Sequence, residues 1–356
     1  MSRLRVHELA DKPDRPTGVD PRAVVTVLRV PPECEGMRLD RFVQSQLKRT
    51  SRTRAQVIVK ASAFSWVGAQ LRASDRVRGE QLVLLWRAPW DEEISELPLP
   101  ILFEDDHLLA IDKPANVPVH PTARYYRSTV VKLLEAVRPG EVQRLAHRLD
   151  RETSGVLLLS KTPEADRHVK RQFANIDPWT GKPSKSRFVD KTYLAISRGS
   201  PAEPRFTIAL PVEEDSKSSL RVKMRIAAEG MGLTATTHCE LREERIDALT
   251  CERFSLIACD LETGRQHQIR VHLAALGLPI VGDKLYGADD RLHARGADGT
   301  LTEGDLAGLI LPRHALHAHV LELDHPMEKG RRLHIEAPLP PDLVAFFDGL
   351  AVVAQR

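Results

Sequence analysis

The chain has 356 residues, 42% hydrophobic and 28% charged, a balance ordinary for a folded protein, and it is long enough for two domains. Disorder, collagen and a continuous coiled coil are excluded as overall descriptions, and no apolar run approaches the ~20 residues of a membrane span. The net charge of +3 is too small to name a partner by itself.

Asp11, Lys12 and Pro13 interrupt any secretory apolar run, and Cys34, Cys239, Cys251 and Cys259 form no CxxC pair. A cytoplasmic chain without a disulfide framework is expected. Residues 1–30, rich in Pro and charge, read as a mobile lead-in ending in the extended run Val24–Val30. Leu39, Phe42, Val43 and Leu47 recur at helical spacing with Asp40 as a capping candidate. A second helix after Ser51 is predicted to bury Ala55, Val57 and Ile58. Phe64, Trp66, Val67 and Leu82–Trp86 then read as short strands, completing a small α/β unit over residues 31–87. Its helical stretch carries Arg41, Lys48, Arg49, Arg52, Arg54 and Lys60 with no acidic residue between them.

Residues 88–100 combine Pro89, Pro98 and Pro100 with Asp91, Glu92, Glu93 and Glu96, and are predicted to be a linker. Residues 101–350 then form the larger domain. Strands are predicted at Leu108–Ile111, Gly155–Ser160, Lys191–Ser197, Phe254–Asp260 and Leu316–Leu323. Helices are predicted at Val130–Val137, Pro163–Asn175, Arg265–Leu276 and Pro341–Leu350, with Pro163 as a start and Gly277 as a stop. This irregular order of elements favours α+β.

The densest polar cluster is His147-Arg148-Leu149-Asp150-Arg151-Glu152-Thr153-Ser154-Gly155, just before an apolar strand. Asp150 is therefore expected on a loop at a strand's entrance. Flanking Arg148 and Arg151 would keep it ionised, which suits a nucleophile or an electrostatic stabiliser. A surface loop with ordinary ion pairs is the alternative. Glu262–Leu273 forms a second cluster, in which Ile269, Leu273 and Leu276 share a helical face and Arg270 projects from its flank. His267 and His272 are five apart, wrong for two ligands on one helical face, and His317 and His319 fall in a strand-like run beyond His314, so no metal is expected. Tyr193, one of only four tyrosines, lies on an alternating strand and faces either core or cleft. Lys182, Lys185, Arg187 and Lys191, and then Lys217, Arg221, Lys223 and Arg225, read as two exposed basic stretches that meet phosphates or solvent. No GxSxG, GxxxxGK[ST] or GxGxxG motif is present, which argues against nucleotide- and nicotinamide-dependent chemistry.

Together, His147–Gly155, Lys191–Ala195, Thr263–His272, Gly277–Gly287 and Leu316-His317-Ala318 resemble the RluA-like pseudouridine synthases, in order and at matching separations. Leu102–Leu108 and Asp112-Lys113-Pro114 resemble that family's opening strand region. The resemblance spans roughly residues 100–340 and implies an α+β domain built on a mixed, largely antiparallel sheet. It implies an isomerase that flips a uridine out of RNA and moves its glycosidic bond from nitrogen to carbon 5, with no cofactor. By this resemblance Asp150 is the catalytic carboxylate, attacking carbon 1′ or abstracting the carbon 2′ proton. Arg270 pairs with it, Tyr193 stacks on the flipped base, and Arg148 fills the space the base leaves. The stretch Ile176–Phe188 is longer than the family usually shows before the tyrosine strand, and reads as a substrate-specific loop.

Residues Gly36–Leu85 resemble the S-four-type RNA-binding module through Arg38-Leu39-Asp40-Arg41-Phe42 and Ser51-Arg52. They depart from it at Ala61-Ser62-Ala63 and Val67-Gly68, where the module shows a glycine and an Asn-Gly turn. This resemblance gives the basic residues Arg41 to Lys60 a phosphate-facing role. The expected substrate is 23S large-subunit rRNA, naked or in an assembling precursor, with tRNA the nearest alternative and a monomer the default state. The rival readings are a non-catalytic RNA-binding or ribosome-assembly factor, and a hydrolase pairing Asp150 with Glu152.

Overall fold

The computed structural model describes residues 3–4, 13–21, 23–47, 51–87, 98–121, 125–184, 186–218, 220, 222–287, 289 and 291–353. The chain divides into two units, Met1–Glu93 and Ile94–Arg356. Lys48, Arg49, Lys185 and Arg221, with residues 88–97 of the expected linker, lie outside the described residues.

In the first unit the order is β1 (Arg3–Leu4), β2 (Val24–Arg29), α1 (Leu39–Gln46), α2 (Arg52–Ser62), β3 (Ala63–Ser65) and β4 (Leu82–Arg87). The strands form an antiparallel sheet in the order β1-β2-β4-β3, so the lead-in already contributes a strand at Arg3–Leu4. Leu39, Phe42 and Val43 of α1 and Ala55 and Val59 of α2 pack with Leu28, Val83 and Leu85 of the sheet. The α2 stripe differs in phase from the expected one. Ala55, Val59 and Ser62 are buried, while Val57 is 63% exposed. Trp66 and Val67 form a turn beyond β3 rather than part of the strand.

Asp40 is not a cap either, because Arg38 holds the N-cap position. Asp40 lies fully buried in the first turn and accepts from Arg38 Nη2 (3.1 Å), Arg52 Nε (3.4 Å) and Gln56 Nε2 (2.9 Å). It thereby fastens α1 to α2, and these donors hold its carboxyl well below the usual carboxylate range. Arg52 is therefore engaged with Asp40, whereas Arg41, Arg54 and Lys60 are simply exposed.

The second unit runs β5 (Ile101–Glu104), β6 (Leu108–Lys113), α3 (Val130–Val137), β7 (Arg144–Leu145), β8 (Ser154–Ser160), α4 (Pro163–Phe173), β9 (Val189–Arg198) and β10 (Arg205–Ile208). It continues with β11 (Val212–Glu214), β12 (Met224–Ile226), β13 (Thr237–Ile246), β14 (Arg253–Leu261), α5 (Gln268–Ala275), α6 (Arg291–Asp298) and α7 (Glu303–Leu309). It ends with β15 (Leu316–Asp324), β16 (Arg332–Glu336), α8 (Pro341–Asp348) and β17 (Ala351–Val352). Among the described residues an eleven-stranded sheet follows the path β10-β13-β14-β9-β15-β8-β6-β5, with β7, β16 and β17 attached at its sides. Among the described residues only β8 and β15 pair in parallel, so the class is α+β on a mixed, largely antiparallel sheet, as the sequence predicts.

Strand β8, SGVLLLS, is buried along its whole length because both faces are covered. Val156 and Leu158 pack with Ala165 and Val169 of α4, while Leu157 and Leu159 pack with Val130 and Leu134 of α3. Each leucine so enclosed contributes about 1.5–3 kcal/mol. Gly155 has φ +107°, and a Cβ there would lie 2.1 Å from the Ala318 carbonyl oxygen of β15. Only glycine permits that approach. Thr162 caps α4 by accepting from the Ala165 amide (3.2 Å), and Pro163 opens the helix. After α4, Ile176 and Pro183 bridge across the long connection to β9.

Candidate active site

Asp150 lies just before β8, on a loop fastened at nearly every residue. Buried Lys113 donates to the Arg151 carbonyl (3.1 Å) as well as to those of Pro114 (2.7 Å) and Val117 (2.9 Å). Lys284 Nζ sits 3.0 Å from each carboxylate oxygen of Glu152. Thr153 Oγ1 meets His314 Nε2 at 2.8 Å, and Ser154 Oγ meets His317 Nδ1 at 3.0 Å. These bonds use the His314 and His317 rings structurally, and His319 Nδ1 bonds the Ala337 carbonyl (2.8 Å).

Arg270 comes from α5, whose start is set by local polar bonds. Gln268 Oε1 accepts from Thr263 Oγ1 (2.8 Å) and the Arg265 amide (3.0 Å), so the helix begins at Gln268 rather than Arg265. Ile269 and Leu273 face the core as expected, but Leu276 is 48% exposed beyond the helix end. The Arg270 guanidinium is almost wholly buried. It donates through Nη1 to Asp150 Oδ2 (2.8 Å), and through Nε and Nη2 to the two oxygens of Asp283 (2.7 and 2.9 Å). Asp283 is held in turn by the amides of Leu285 (2.8 Å) and Tyr286 (3.0 Å).

Burial raises the Asp150 carboxyl, while His267 when protonated and the Arg270 guanidinium, which also donates to it, bring it below the usual range by their positive charge. That charge is not from its sequence neighbours. Arg151 turns to Tyr125 Oη (2.5 Å) and Glu152 (3.2 Å), and Arg148 is exposed. His267 Nε2 lies 3.7 Å from Asp150 Oδ2, yet burial pushes that imidazole down to about 4. At neutral pH His267 is therefore uncharged, and Arg270 supplies the balancing charge.

These groups border a cavity of about 840 Å³, a size typical of ligand sites, lined also by Tyr193, His147, Arg148 and Lys191. Tyr193 of β9 lines the cavity and packs against two core clusters, and burial raises its phenol. His147 stacks on Phe173 (5.3 Å between centroids) and accepts from the Leu158 amide (3.0 Å), so it is a neutral wall residue. Burial lowers it to about 3.

The family profile described as RNA pseudouridylate synthase matches residues 107–275. A protein of Xanthomonas campestris named ribosomal large subunit pseudouridine synthase D is 35% identical over 334 residues, covering 92% of this chain and 93% of its own. One of the same name from Nitrosomonas europaea is 34% identical over 331 residues, covering 91% and 87%. The chain belongs to the RNA pseudouridylate synthase family. It is an RNA pseudouridine synthase, an isomerase whose partner is RNA. The solved human RNA pseudouridylate synthase domain containing 1 has the related fold, with a TM-score of 0.55 at 25% identity, covering 73% of this chain and 91% of that one.

Of the residues expected at the synthase site, the structure brings Asp150, Arg270, Tyr193 and Arg148 to one cavity. Of the expected basic stretches, Lys182 and Lys217 are exposed, while other members are engaged within the fold. Lys191 lies over the Phe173 ring inside the cavity wall, Arg187 bonds Asp190 and the Leu261 carbonyl, and Arg225 pairs with Glu213. Glu152 is turned to Lys284, which removes the paired-carboxylate hydrolase reading. Asp283, Lys284 and Tyr286 had no assigned role. They lie in the Gly277–Gly287 block, and the adjacency of Asp283 and Lys284 was the available signal.

Proposed function

We propose that this synthase converts uridines of large-subunit rRNA to pseudouridine with Asp150 as the reacting carboxylate. The observation that carries the reading is the buried guanidinium of Arg270 shared between Asp150 and Asp283 at the cavity wall. That arrangement keeps Asp150 ionised at neutral pH, as either attack on carbon 1′ or removal of the carbon 2′ proton requires. The bond from carbon 1′ to N1 breaks, the detached base turns, and a bond from carbon 1′ to C5 forms. C5 then loses its proton and N1 gains one, so the reaction is an isomerisation with no external reactant.

A uridine must leave its stack to enter such a cavity, and Tyr193, which lines it, would stack on the extruded base. Arg148 makes no ion pair among the described residues and stands exposed at the cavity, which suits insertion into the vacated space. Arg41, Arg54 and Lys60 of the N-terminal unit would add phosphate contacts in the manner of an S-four-type module. The large-subunit rRNA substrate is supported by the names of the two bacterial relatives. The chain would act in the cytoplasm as a monomer, since Asp150, Arg270 and Asp283 all come from one chain.

The test maps pseudouridines in total RNA from cells with and without the gene. Loss of one or a few large-subunit rRNA sites, restored by the wild type and not by Asp150→Asn, is the expected result. Loss confined to tRNA would replace the substrate, and restoration by Asp150→Asn would remove that residue from the chemistry.

A further inference from the structure

His267 is built into the site by three independent features. Its backbone is left-handed at φ 55°, ψ 18°, a conformation few side chains adopt and one that accumulates at functional sites. Its ring is 9% exposed and borders the cavity, with Nε2 3.7 Å from Asp150 Oδ2. Its other nitrogen, Nδ1, lies 2.9 Å from the Tyr286 hydroxyl.

Tyr286 Oη accepts from the Met224 amide at 2.9 Å, and we assign its own proton to His267 Nδ1, the arrangement that gives both Tyr286 and Asp150 a partner of the right kind. The imidazole proton then resides on Nε2, the nitrogen that faces Asp150. Arg270 Nη1 approaches the same carboxylate oxygen, Oδ2, at 2.8 Å, while Oδ1 accepts no hydrogen bond among the described residues.

We propose that His267 is a positioning residue for Asp150: Tyr286 holds it as an uncharged donor on Oδ2, so that Oδ1 is the oxygen presented to the ribose. This rests on the reading of Asp150 as the reacting carboxylate. A second cation at this place would hold the carboxylate more firmly but make it less nucleophilic and less basic. A neutral imidazole restrains its orientation without that loss. The distance of 3.7 Å is long for a formed hydrogen bond, and such bonds tighten as substrate closes the site. The charged and titratable groups facing His267 are Asp150, Arg270, Asp283, His293 and Tyr286.

The test uses single-turnover pseudouridine formation and binding of an RNA fragment carrying a site that the parent enzyme modifies. His267→Gly removes the ring and suits the left-handed backbone; His267→Asn suits it too and stops short of Asp150, so folding is not the limiting question. Either should slow turnover by about tenfold or more while RNA affinity stays within about twofold. His267→Gln, whose amide N–H reaches as far as Nε2, should recover much of the rate. Tyr286→Phe should slow turnover comparably, and should add little in the His267→Gly background. Turnover of His267→Gly within about twofold of the parent would overturn the proposal. So would a loss that appears only as weaker RNA binding, or a His267→Gln enzyme as slow as His267→Gly. Asp150→Asn separates the two readings. If it is inactive while His267→Gly is normal, only the His267 assignment falls; if it turns over normally, the Asp150 reading falls as well.

Discussion

Lys284 sits 3.0 Å from each carboxylate oxygen of Glu152, with both side chains largely buried. Asp283 and Lys284 are adjacent in sequence, and Asp150 and Glu152 are two apart, so two ion-paired links join the same two loops. Lys284→Met should therefore destabilise the fold, by at most about 3–5 kcal/mol, because Glu152 stays largely buried and keeps only the more exposed Arg151 (3.2 Å) as a cationic partner among the described residues. Adding Glu152→Gln should recover part of that loss. Urea unfolding of the two single variants and the double variant measures the coupling, and strictly additive losses would show that the pair is not linked.

Arg270→Lys keeps a positive charge but not the geometry. An ammonium on a flexible stem cannot hold both oxygens of Asp283 and Oδ2 of Asp150 along fixed directions. Turnover should fall by about 100-fold or more, since a charge-positioning group acts only when correctly aimed. Single-turnover kinetics check this, with RNA affinity as the control. A lysine enzyme near the parental rate would show that charge alone suffices.

Stability should fall on mild acidification, before the carboxylates titrate. Burial lowers His147 to about 3 and His267, His314 and His317 to about 4, against an ordinary value of 6.5. An unfolded chain therefore binds more protons than the folded one between those values. The contribution of these rings is fully present above about 6.5 and is lost as pH falls toward 4, at up to about 1.4 kcal/mol per pH unit for each. Denaturation midpoints at pH 7.5, 6 and 5 should decline steadily. A flat response over that range would mean that the rings are not held neutral.

Removing Arg41, Arg54 and Lys60 together by alanine should weaken rRNA binding at low salt. If each meets one phosphate, the dependence of log affinity on log salt should flatten by about two units. An unchanged slope would reduce these side chains to a solvated face.

The elements legible in the sequence are those whose side chains meet one kind of environment. Strand β8 is a continuous apolar run because helices cover both of its faces, and α4 is bracketed by Pro163 at its start. Strand β13, Thr237–Ile246, was not legible. Apart from buried Thr237 and Cys239, its charged residues lie at the half-covered surface of the sheet, so no clear apolar alternation marks it. Val57 was misread because one residue of helical phase exchanges core for solvent, and Val59 takes the inward place. At the site, the His147–Gly155 and Glu262–Leu273 blocks were visible as clusters. Their joining was not, because Arg270 and Asp150 are 120 residues apart and local charge pointed to Arg148 and Arg151.

The loop from Arg151 to Ser154 has each of its residues tied to a different part of the fold: Tyr125 and Lys113, Lys284, His314, and His317. Its conformational freedom is therefore given up during folding, before any RNA arrives. A reader of RNA in this position meets a finished edge rather than one it must organise. The free energy of contact is then available for the nucleic acid itself, and under the proposed mechanism it would go to unstacking a uridine and turning it out of its strand.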